Sequence, residues 1–90
     1  MFFRWNEWNV DHIAEHGVSP EEAESVVENG RRPYPELREE EKWRVVGRGR
    51  GGRWIQVIFI FDPDPEDTAY VIHARPLTEG EKKRERRRMK

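Results

Sequence analysis

From residue 53 the chain is apolar at nearly every position: Arg53-Trp54-Ile55-Gln56-Val57-Ile58-Phe59-Ile60-Phe61. A strand with one wet face alternates, so an apolar run without alternation marks a strand covered on both faces. This spacing predicts a central strand over 53–61, with Ile55, Val57, Phe59 and Phe61 on one face. The other face is apolar too and needs its own cover, either the last helix or a second subunit. Upstream, residues 42–48 also have a period of two, and Gly49 to Gly52 form a flexible turn between the two strands. Downstream, residues 62–67, with Pro63 and Pro65, read as a turn. Residues 68–75 read as a third strand, which Pro76 ends. Three consecutive strands on short links favour an antiparallel meander.

Ahead of the strands the period is helical. Phe2 to Trp5 is a short aromatic strand. Asn6 caps a helix over 7–16 that Gly17 ends. On that helix Val10, Ile13 and Ala14 share the face expected to be buried, while Trp8, His12, Glu15 and His16 lie on the other. Ser19 caps a second helix, with Pro20 at its first position and Glu22 placed for a capping box. Its buried stripe is Ala23, Val26 and Val27, and Asn29 with Gly30 stop it. Only Gly17 and Val18 separate the two helices, which makes them a tight pair. Residues 31–41 read as a loop leading to an edge. After Pro76, Thr78 and Glu81 form a capping box for a closing helix whose apolar anchors are only Leu77 and Met89. Its inner turn is expected to dock and its outer turns to fray. The fold class is therefore α+β, in the order β-α-α-β-β-β-α. The expected core is Ile13, Val26, Val27, Ile55, Val57, Phe59 and Val71.

Ninety residues make one domain, 1–90, with 79–90 as a basic helix or tail. The absence of cysteine excludes a disulfide scaffold and thiolate metal sites, and it fits a cytoplasmic protein. No run approaches the length of a membrane span, and the N-terminus lacks the pattern of a signal peptide.

Charge changes the picture more than composition does. The net charge is only -1, yet the charges are sorted. Residues 7–41 hold eleven acidic and three basic side chains, residues 42–60 hold five basic and no acidic ones, and residues 73–90 hold eight basic and three acidic. Such sorting presents strong local fields that steer a polyanion or an acidic partner.

Lys42, Arg44 and Arg48 share one face of a regular strand, as do His73 and Arg75 on the third strand. Antiparallel pairing can join them into a guanidinium and imidazole patch, suited to holding phosphates and moving a proton. Cleavage of a phosphodiester by a neighbouring 2′-hydroxyl needs a base, an acid and a cation, and histidine, carboxylate and arginine supply all three without a metal. The bland alternative is an edge strand protected by charge. His12 and His16 have the i,i+4 spacing of helix-borne metal ligands, but Glu15 stands two residues too late for a zincin motif, and no metal site is expected. His16 beside Gly17 is also explained by the helix dipole. The glycines of the 47–52 region lack a following helix and read as a hairpin turn, not a phosphate loop. Phe2, Phe3, Trp5, Trp8 and Trp54 are either core or a stacking surface for bases.

The segments FRWNEWNVDHIAEHGVSPEEA, a GGR turn entering an apolar strand, and VIHARPLTEGEK together resemble the BrnT toxins of bacterial toxin–antitoxin pairs. The likeness runs from Phe3 to about Arg84. The resemblance implies a RelE-like fold, metal-independent RNA cleavage that halts translation, and a small ribbon-helix-helix antitoxin as partner. It implies no cofactor, and it marks His16, Arg44, Arg53, Arg75 and Glu81 as catalytic positions. The charge pattern adds Arg48, His73, Lys82, Lys83 and Arg86 as RNA contacts. The chain departs from the family at Asn6, Trp8, Asn9, Glu15 and Glu85. Several of these changes remove positive charge beside the expected RNA site. The alternative is therefore a non-catalytic RNA- or protein-binding module on the same fold.

Overall fold

A computed structural model describes residues 1–62 and 67–88. The expected turn residues Pro63 and Pro65, the anchor Met89 and the basic Lys90 lie outside the described residues. The elements are β1 (Phe2–Arg4), α1 (Glu7–Ala14), α2 (Pro20–Glu28), β2 (Glu36–Leu37), a 3-10 turn (Glu39–Glu41), β3 (Trp43–Arg48), β4 (Trp54–Phe61), β5 (Thr68–Pro76) and α3 (Glu79–Arg88). They form one sheet in the order β1-β5-β4-β3-β2, with β4 at its centre.

Two features correct the sequence reading. The sheet is mixed, because β1 pairs parallel with β5 while the other neighbours are antiparallel. The expected loop over 31–41 contains β2, which pairs Glu36 with Arg44 and Leu37 with Trp43 at the sheet edge. Two residues are too few for any period to show.

Residues directly opposed in a ladder share a face. Val45, Val57 and Ala74 form one apolar row, and Trp43, Phe59 and Val71 the next. This face packs against the helices, and Ile13, Val26, Ile55, Val57, Phe59 and Val71 are all buried, as expected. Val27 is only half-buried, and Phe61 is exposed. The opposite face of β4, with Gln56, Ile58 and Ile60, is half-buried.

The buried face of α1 differs from the expected one. Ile13 is buried, but Val10 is half-buried and Ala14 exposed, while Asn9 is 0% exposed. Asn9 is buried without loss because its amide is satisfied. Its Oδ1 accepts from the Asn6 backbone N–H at 2.8 Å, and its Nδ2 donates to the Arg4 carbonyl at 3.1 Å. Asn6 in turn accepts from the Asn9 N–H at 3.1 Å, so the two asparagines make the capping box that starts α1. The helix closes earlier than expected. Gly17, at φ 74, donates to Ala14 and Val18 donates to Ile13, with Val18 buried against the core.

The α3 start follows the sequence in full and the α2 start in part: Ser19 caps α2, but the Glu22 carboxylate binds Arg53 and the expected capping box is not closed. The Ser19 hydroxyl accepts from the Glu22 N–H at 3.2 Å. Thr78 and Glu81 exchange both bonds of their capping box, at 2.9 and 3.2 Å. Among the described residues no helix is long and apolar enough to cross a membrane.

Candidate functional site

The second face of the sheet carries the chemistry. Its rows are Arg44–Ile58–His73, then Val46–Gln56–Arg75, while Tyr70 lies between Ile60 and Arg4. A bulge sets this arrangement. Ile58 opposes His73 and Phe59 opposes Val71, which leaves Ile72 as the extra residue in β5. Strict alternation from Tyr70 would carry His73 to the apolar face. The bulge puts Tyr70, His73 and Arg75 on one side.

Helix α1 meets this side with the row that stood opposite its expected buried face. Trp8 stacks on His12 at 4.8 Å with an interplanar angle of 10°, and on Tyr70 at 6.4 Å. The His16 ring lies 5.2 Å from His73, and the His12 ring lies 5.8 Å from it. Burial, then the neighbouring His16, His12 and Arg75, hold the His73 pKa below its ordinary value. His73 is therefore a neutral imidazole at pH 7, able to accept a proton. Among the described residues no group of three or more His, Cys, Asp or Glu side chains is disposed to hold a metal ion.

Beside this cluster, Arg38, Arg44, Gln56, Arg75, Glu81, Arg84, Glu85 and Arg88 line an open cleft of about 370 Å³. Five arginines against two glutamates make its field positive. Several are nonetheless fixed by acids. Arg75 grips Glu81 through both terminal nitrogens at 2.8 Å each. This pairing, with the Thr78 backbone N–H, brings the Glu81 pKa down to about 2. Arg44 is held by Gln56 at 2.8 Å, Glu36 at 3.1 Å and Tyr34 at 3.2 Å, and its side chain is 13% exposed. Glu85, 4% exposed, is the buried residue of α3 and accepts from the Tyr34 hydroxyl. Burial and the Glu85 carboxylate push the Tyr34 phenol up to about 12. Arg88 reaches Glu36 at 2.6 Å, and the Glu36 pKa falls as a result. These bonds dock α3 through polar groups, where its sequence offered few apolar ones.

The structure thus brings together His16, His73, Arg75, Glu81 and Arg44 on one side of the sheet. Arg53 lies apart. It ties the start of β4 to the α1–α2 turn, holding Glu22 at 2.8 and 2.9 Å and donating to the Gly17 carbonyl. Arg48 lies over the Trp54 ring at 5.3 Å, near the β3–β4 turn. Lys82 pairs with Glu79 at 3.0 Å. Lys83 and Arg86 are exposed and carry no ion pair among the described residues.

Sequence reasoning missed Gln56, Tyr34 and Arg84 as parts of the site. Gln56 had a signal, as the one polar side chain inside the apolar run. Arg84 and Arg88 follow Glu81 at helical spacing, which marks one face of α3. Tyr34 had none, since its partner Glu85 is distant in sequence. Comparison with known proteins adds no relative: no family model, no curated protein and no solved structure matches the chain.

Proposed function

We propose that this chain is a divergent BrnT-like toxin with a RelE-like fold, acting as a cytoplasmic, metal-independent endoribonuclease. The observation that carries this reading is the pair of imidazoles, His16 and His73, at 5.2 Å beside Arg75. Two imidazoles in edge-to-face contact can both reach one phosphodiester that lies against the pair. His73, held neutral, accepts the proton of the 2′-hydroxyl as it attacks phosphorus. His16 takes the role of the acid and gives a proton to the departing 5′-oxygen. The products are a 2′,3′-cyclic phosphate and a 5′-hydroxyl, and the two histidines end with their protons exchanged. Arg75 neutralises the charge gathering on the phosphorane oxygens. Glu81 and the Pro76 carbonyl engage three hydrogen bonds of its guanidinium, and a guanidinium offers five donors. Glu81 is in this account a positioning residue. The exposed cations Lys83, Arg84 and Arg86 hold flanking phosphates. A small ribbon-helix-helix antitoxin is the partner the resemblance suggests.

A second reading has an observation of its own. Arg44, Arg53, Arg75 and Arg88 are all paired with carboxylates, as in a module that binds RNA or protein without cleaving it. Incubation of purified protein with single-stranded RNA and excess chelator separates the two. The enzyme reading predicts cleavage that falls roughly 10²–10⁴-fold in His73→Ala and in His16→Ala, and is lost in Arg75→Ala. Binding without cleavage establishes the module instead. Cleavage that the chelator abolishes, or that all three variants retain, overturns the proposed mechanism.

A further inference from the structure

The polar side of the sheet continues past the cleft toward the β3–β4 turn, where Arg48 opposes Trp54. There Asn29, Arg31, Val46, Gly47, Arg48 and Trp54 enclose a second cavity, of about 320 Å³. β2 pairs with β3 only at Trp43 and Arg44, so it does not cover this stretch of the edge.

Three observations converge on the cavity. The indole Nε1 of Trp54 is buried and makes no hydrogen bond, the sole such side-chain atom among the described residues. An orphaned buried donor is rare and calls for an acceptor. Arg31 and Arg48 also carry no ion pair among the described residues, unlike the arginines of the cleft that are tied to Glu36, Glu81 and Glu85. Finally, the exposed Arg48 guanidinium lies 5.3 Å from the Trp54 ring centroid, a stacked cation that can shift to admit a ligand. Two uncommitted guanidiniums and one unpaired N–H ask for a ligand with several acceptor oxygens. The half-buried Trp54 ring asks for a flat or carbon-rich group attached to it. The volume is that of a small site, enough for one nucleotide.

We propose that this cavity is a nucleotide subsite. Its phosphate lies between Arg31 and Arg48 and, once Arg48 moves off the ring and opens the buried indole N–H, accepts from Trp54, with the nucleoside against the Trp54 ring. The inference deepens the ribonuclease reading, since it makes the cavity the seat of a nucleotide flanking the scissile bond. The same chemistry fits a free nucleotide, so the test includes both.

The Trp54 indole N–H resonance of ¹⁵N-labelled full-length protein, assigned with Trp54→Phe, reports occupancy. Adenosine 5′-monophosphate should shift it saturably, whereas adenosine and acetate should not. Arg31→Ala and Arg48→Ala should each weaken binding about tenfold, as expected for a charge-assisted hydrogen bond. An uncleavable 2′-deoxy hexanucleotide binding at least about tenfold tighter than the mononucleotide identifies a strand as the occupant, through its added phosphate contacts. Equal affinities identify a free nucleotide. A resonance unmoved by any phosphate probe, or moved equally in both arginine variants, overturns the proposal, as does acetate binding as well as the mononucleotide. The readout needs no turnover. A responsive subsite in a protein that leaves RNA intact sinks the cleavage reading alone, and cleavage with an unresponsive resonance sinks the subsite alone.

Discussion

Tyr34 shows how a single hydroxyl can organise a polar interface. It donates to Glu85, while Arg44 and Arg88 approach its oxygen at 3.2 and 3.5 Å. Both guanidiniums also lie over its ring at 5.6 Å. Tyr34→Phe keeps the ring but leaves the buried Glu85 carboxylate without its hydroxyl donor. The expected cost is about 1–3 kcal/mol, read as a lower urea midpoint with an unchanged denaturant slope. An unchanged midpoint would show that Arg44 and Arg88 satisfy Glu85 alone. The same contact has a pH signature. A phenol whose folded pKa is raised contributes stability that is intact below its ordinary value of about 10. That contribution is lost as the pH rises through about 12.

At the scale of elements, α3 is a basic helix that is docked on one side and free on the other. Glu81, Glu85 and Arg88 bind it to β5, β3 and β2, while Lys83, Arg86 and Arg87 are exposed without ion pairs among the described residues. Deleting the tail from Arg86 would therefore confound two effects, because it also removes the Arg88–Glu36 bridge. Replacing Lys83, Arg86 and Arg87 together by glutamine isolates the free charge. If RNA is the target, the slope of log affinity on log salt should flatten by roughly 0.7 per lost contact, about 2 for three. An unchanged slope assigns these cations to another partner.

Helix and strand positions were largely legible because their signals are local: Ser19-Pro20, Thr78 with Glu81, Gly17, and the run Trp54 to Phe61. What was not legible depends on distant partners. Nothing local announces that Ile72 is a bulge residue, and the bulge is what aims His73 at α1. Nothing in the α1 pattern favours burying Asn9 over Val10 until the Arg4 carbonyl is beside it. Arg53 was a catalytic position by the resemblance alone, yet Glu22, distant in sequence, draws it to the α1–α2 turn.

Across the whole molecule, the sorted charges of the sequence become paired ones. The acidic 36–41 stretch contributes Glu36 to Arg44 and Arg88, and the acidic α2 contributes Glu22 to Arg53. The pairing leaves a positive remainder on the second face of the sheet, around one low-pKa histidine. The central claim is that this histidine is the base of an RNA-cleaving pair. The most direct test is the pH dependence of kcat/KM for RNA cleavage in the wild type and in His73→Ala. A general base acts only when unprotonated, so activity should fall on the acid side through a pKa below the ordinary imidazole value of about 6.5, following the lowered His73. The account predicts a wild-type profile with an acid limb that disappears in His73→Ala. A profile that His73→Ala leaves unchanged, in height and in shape, would contradict it.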